Sequence, residues 1–142
     1  MKYLQYLAIA ALASSLGFIV HVFSAEWVQG WVAQIMQGRS VTPSWDVRYI
    51  ATLTSLEYGA STIVLYWLIR DKVIKYGKFK AFITLSLLFT ALHGALVRQP
   101  LMDYIIGNPV EVVLVQNALK WLVWILMSLV VVYGSERLAK NV

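Results

Sequence analysis

The stretch Asn108–Tyr133, NPVEVVLVQNALKWLVWILMSLVVVY, decides the fold. From Val110 to Tyr133 it holds only two formal charges, Glu111 and Lys120, in an otherwise apolar run. At 1.5 Å rise per residue such a run spans roughly 36 Å, enough to cross about 30 Å of hydrocarbon. Its beginning is a helix start: Asn108 stands at the cap, Pro109 at the first helical position, and Glu111 where a carboxylate meets free N–H groups and the positive end of the dipole.

Working outward, three further apolar runs of similar type appear, at Tyr3–Ser24, Val47–Ile69 and Phe79–Val97. Backbone polar groups at membrane depth find no water, so these runs must be helices. The whole chain agrees. Of its 142 residues 60% are hydrophobic and 13% charged, with a mean hydropathy of +0.69. A water-soluble domain carries about a quarter charged residues. The composition therefore predicts an all-α, polytopic membrane protein: a single domain, residues 1–142, built as an antiparallel four-transmembrane-helix bundle. The run from Lys2 to Ala25 is read as a retained first span, because about 20 apolar residues exceed a signal-peptide core.

Charge sets the expected orientation. Arg70, Lys72, Lys75, Lys78 and Lys80 crowd the connection between the second and third runs, against Asp71 alone. Lys2, Arg137 and Lys140 fall on the same side, while Arg39, Arg48 and Arg98 mark the other. The positive-inside rule then puts both termini in the cytoplasm, and the compact form points to a bacterial inner membrane. The net charge of +5 is spread among spans instead of gathered on one soluble face, which argues against nucleic acid as a partner. Aromatic residues mark both boundaries, with Tyr3, Tyr6, Tyr66, Trp67, Tyr76 and Tyr133 inside and Trp27, Trp31, Trp45, Tyr49 and Tyr104 outside. Trp121 and Trp124 lie deeper and should pack between helices or face a cavity.

The outer connections are expected to carry short amphipathic helices. Trp27, Val28, Trp31, Val32, Ile35 and Met36 recur at helical spacing before Gly38, and Pro100–Ile106 forms a shorter segment closed by Gly107. Thr42, Pro43, Ser44, Trp45 and Asp46 offer a looser cap for the second span.

Absence of cysteine removes thiolate metal sites, iron–sulfur ligation and cysteine nucleophiles. No phosphate loop, zinc-protease motif or local triad signature is present, so the chain reads as a non-enzyme. Chemistry is left to a few polar groups inside the spans. Glu57 and Lys120 lie about 16 and 13 Å down their helices from Asp46 and Glu111. A midplane Glu57/Lys120 pair, with Asn117 one turn away, is therefore the first candidate site, because a lone charge at that depth costs about 2.5–3.5 kcal/mol.

Stripes of small and hydroxyl residues mark the faces expected to turn inward. They are Thr54, Glu57 and Ser61; Ser86, Thr90 and His93; and Ala10, Ser14, Gly17, His21 and Ser24. His21, Arg48, His93 and Arg98 form a second candidate, an outer-leaflet polar cluster. Two inward imidazoles, His21 and His93, could also ligate one b-type haem.

Three functions follow. The favoured one is a non-enzymatic accessory or scaffold component of a membrane complex, held in the lipid bilayer and joined to a protein partner or to copies of itself. The alternatives are a small proton-coupled transporter or channel using Glu57 and Lys120, and a single-haem electron carrier.

Overall fold

The computed structural model describes residues 2–39 and 46–139. The described residues are 88% helical and include no strand. Two helices, Tyr3–Ile35 and Val110–Ala139, are long and apolar enough to cross a membrane.

The first begins as α1 (Lys2–Phe23), passes through a π-helical turn at Ser24–Val28, and continues as α2 (Gln29–Ile35). The backbone stays in the right-handed helical region at Phe23, Val28 and Gln29. The segment beginning at Trp27 is therefore an extension of α1, not a separate surface helix. The first backbone break comes at Gln37 and Gly38, both at positive φ.

α3 (Val47–Val73) starts where the Asp46 side chain accepts the Arg48 N–H at 2.8 Å. Thr42, Pro43, Ser44 and Trp45, the remainder of that expected start, lie outside the described residues, as does Lys140. A short 3₁₀ turn, Ile74–Tyr76, and Gly77 at φ +97° reverse the chain into α4 (Lys78–Leu92).

The third apolar run is expected to be helical to Val97 but stops at Leu92. Gly94 adopts φ +68°, and the Gly94 and Ala95 N–H groups cap the carbonyls of Ala91 and Thr90, each at 2.9 Å. With 15 residues, α4 is roughly 22 Å long. α5 (Arg98–Ile105) and α6 (Val110–Ala139) complete the described chain, and α6 begins at the residue its sequence predicts.

α1 packs against both α3 and α6, and α4 packs on α6. Contacts fix the directions. Gly17 of α1 sits beside Met127 of α6, while Ile9 sits beside Gly134, so these two helices are antiparallel. Tyr58 meets Trp124 and Tyr66 meets Glu136, so α3 and α6 run together. Ala95 meets Trp121 and Phe89 meets Trp124, so the α4 end of the chain runs against α6. The buried core comprises Ile9, Ala13 and Val20 from α1, Tyr66 from α3, Ala81, Leu85 and Phe89 from α4, and Val123, Trp124, Met127, Val131 and Val132 from α6.

Small residues let α1 approach its neighbours. A Cβ on Gly59 would collide with the Ser14 Oγ and lie 2.9 Å from the Ala10 carbonyl oxygen and 3.1 Å from the Ser14 nitrogen. Two of those atoms are backbone and cannot step aside. Gly59→Ala should therefore cost about 1–3 kcal/mol through overpacking. Gly30→Ala, which meets nothing within 4 Å, should be neutral or stabilising by up to about 1 kcal/mol through helix propensity. Thermal unfolding of the two variants in the same detergent checks the contrast; equal stabilities would contradict the α1–α3 contact.

Candidate functional site

Polar groups near the α4–α5 turn gather around Lys120, with a different set of partners from the one the sequence suggests. Lys120 Nζ lies 4.0 Å from Asp103 Oδ2 on α5. Asp103 is 8% exposed and accepts a 2.9 Å hydrogen bond from Gln99 Nε2 through its other oxygen. α5 is held in place by Trp121, whose Nε1 donates to the Ala95 carbonyl at 2.8 Å across the α4–α5 turn. Trp121 is itself 40% exposed, unlike the buried Trp124.

Glu57 does not join this group. It is exposed on α3, and the buried positions of that helix are Ala51, Ser55, Gly59, Thr62 and Tyr66. Residue 57 lies two positions from both Ser55 and Gly59, hence on the opposite side of the helix. The expected Glu57–Lys120 pair is therefore replaced by Asp103–Lys120. The stripe Thr54, Glu57 and Ser61 misled because hydroxyls need no inward partner. Thr54 donates to the Ile50 carbonyl and Ser61 to the Glu57 carbonyl, at 2.8 and 2.7 Å, within their own helix. Asn117 is buried, and its amide donates to the Val113 carbonyl at 2.8 Å.

The expected outer-leaflet cluster of His21, Arg48, His93 and Arg98 also divides. Arg48 pairs with Glu26 at 2.7 Å, which ties α3 to the π turn beside a cavity of about 310 Å³. Arg98 is exposed and lies beside Gly94. His93 is exposed, stacks on Trp124 with ring centroids 4.2 Å apart, and places Nδ1 3.0 Å from the Phe89 carbonyl. His21 instead faces a cleft of about 210 Å³ lined by Ser24, Gln29, Gln116, Lys120 and three apolar residues.

The two histidines do not frame a haem. The Tyr58 ring packs against both, 6.2 Å from His21 and 5.2 Å from His93 by centroid, and is edge-on to Trp124 at 4.6 Å. A macrocycle ligated by both imidazoles would have to occupy the volume these rings fill. The site does not fit the group.

At the opposite end is a network that sequence reasoning missed. Glu136 accepts from Tyr66 at 3.0 Å and from Arg70 at 2.5 and 3.0 Å, bidentate, joining α3 to α6. Glu136 is buried although it lies past the apolar run. The charge-assisted hydrogen bonds from Arg70 and the hydroxyl bond from Tyr66 compensate the burial of its carboxylate. Tyr66 and Arg70 fall one helical turn apart in sequence, the only signal that they could share a partner.

Compared with protein-family models, curated proteins and solved structures, the chain matches none.

Two outcomes test these contacts. Glu136→Gln should destabilise the protein by about 1–3 kcal/mol, because it leaves the Arg70 guanidinium without its counter-charge, and an unchanged unfolding temperature would contradict the network. For the outer pair, Asp103→Leu and Lys120→Met should each destabilise by about 1–3 kcal/mol, while the double variant loses less than their sum. Strict additivity in a double-mutant cycle would mean the two groups do not interact.

Proposed function

We propose that the chain is a four-span membrane protein with both termini in the cytoplasm, and that it acts as a non-enzymatic subunit of a membrane complex. Two helices already meet the requirements of a crossing. α3, with 27 residues, is long enough for a third, and α4 with the following turn supplies the return.

The observation that carries the reading is Glu57. It is exposed on α3 about 15 Å beyond the start of that helix, flanked by exposed Leu53, Leu56 and Val64. Among the described residues no side chain bonds or pairs with it. A carboxyl group facing hydrocarbon at that depth is costly and calls for a hydrogen-bond donor or cation from outside the chain. A neighbouring helix supplies one economically, since polar side chains join helices within membranes. A chain whose own cation is already balanced by Asp103 leaves its acid for a partner.

The protein extracted gently from its own membranes should therefore run in a stoichiometric assembly well above 16.1 kDa by native mass spectrometry. Glu57→Leu should release it as a folded monomer with unchanged helicity. A monomeric wild-type protein, or an assembly indifferent to the substitution, would refute the reading.

A further inference from the structure

The cleft beside His21 lies apart from the Glu57 face and is lined in a way that suits a ligand. Its polar lining comes from two walls: His21, Ser24 and Gln29 from the first helix, Gln116 and Lys120 from α6. Its apolar lining is Val20, Leu119 and Val123. The π turn that starts at Ser24 inserts an extra residue into the helix, a distortion found often at functional sites. A second cleft, of about 280 Å³, adjoins His21, Ser24 and Gln29 from the α3 side, so the distorted segment is open on two flanks.

His21, on the cleft's lining, carries at Nε2 one of eight buried polar atoms without a hydrogen-bond partner among the described residues, and such an atom calls for a water, ion or ligand. Lys120 stands 4.0 Å from Asp103, beyond hydrogen-bond distance, so its ammonium retains donors for something in the cleft.

Charge and shape narrow the class. Asp103 balances Lys120, so an anion would bring an unbalanced charge into a low-dielectric region. A neutral molecule bearing acceptor oxygens meets no such cost. The donors stand on opposing walls, which matches acceptors on opposite edges of a ring, and the apolar lining matches the ring and its tail. At roughly 30 Å³ per water, 210 Å³ equals about seven waters, a volume that admits one substituted six-membered ring.

We propose that this cleft binds the head ring of a bilayer-soluble para-quinone, with carbonyl oxygens accepting from the His21 side on one wall and from Gln116 and Lys120 on the other. No electron transfer is involved.

The test titrates the intact protein, in phosphatidylcholine nanodiscs, with decylubiquinone and measures bound quinone above that in empty discs. Saturable binding near one per chain is expected. His21→Ala and Gln116→Leu should each weaken it at least tenfold, and both leave the Asp103–Lys120 pair intact, so thermal unfolding should remain cooperative. Arg98→Gln, outside the cleft, should bind as wild type. Absence of saturable binding, or equal affinity in all three variants, overturns the proposal. So does displacement of the quinone by phosphatidylglycerol at modest mole fraction, which would make the cleft an anionic head-group site.

Discussion

In the membrane setting we propose, an ionised side chain cannot stay alone in hydrocarbon, and this constraint orders the polar groups of the chain. The one cation in the apolar part of α6, Lys120, has its counter-ion on α5, a short helix brought over it by the cap at Gly94 and by the Trp121–Ala95 hydrogen bond. That contact leaves the ammonium beside an open cleft instead of within a closed ion pair. Glu57 lacks an internal partner for a separate reason, since it stands on the side of α3 opposite the buried Ser55 and Gly59.

The scaffold that makes this possible is the position of α1 between α3 and α6. Gly59 admits the Ala10–Ser14 backbone on one side, while Gly17 and Gly134 receive Met127 and Ile9 on the other. These are van der Waals contacts of the kind that hold helices together where the hydrophobic effect gives no preference for helix over lipid. Further down, the Tyr66–Arg70–Glu136 network closes the same helices by charge-assisted hydrogen bonds. The aromatic group of Tyr58, Phe89, His93 and Trp124 fills the space between, and for that reason excludes a large planar cofactor.

Much of this was legible in the residues. Apolar length gives the helices, and the Asn-Pro-x-Glu start places α6 at Val110. Of the predicted inward stripes, Ser14 and Gly17 and Ser86 and Thr90 are buried, Ala10, His21 and Ser24 are half-buried, and His93 is exposed. The failures have physical causes. Serine and threonine bond backward to their own helix, so Thr54 and Ser61 gave a false inward direction to α3 and carried Glu57 with them. Gly94 read as part of a span, although its left-handed conformation ends α4 five residues from Gln99 and starts the turn into α5. The Pro100–Ile106 segment is legible, but nothing local announces that it folds back over α6 and puts Asp103 beside Lys120. Glu136 was overlooked because it lies beyond the apolar run, and its partners are distant in sequence.

The account turns on which side of α3 meets another protein. Site-specific photo-crosslinking in native membranes addresses this directly, with a benzophenone amino acid placed in turn at Glu57, Ala60, Val64 and, on the exposed side of α1, Leu12. The account predicts a discrete protein adduct from positions 57, 60 and 64 and none from position 12. Adducts equally strong from every position, or none from position 57, would contradict it.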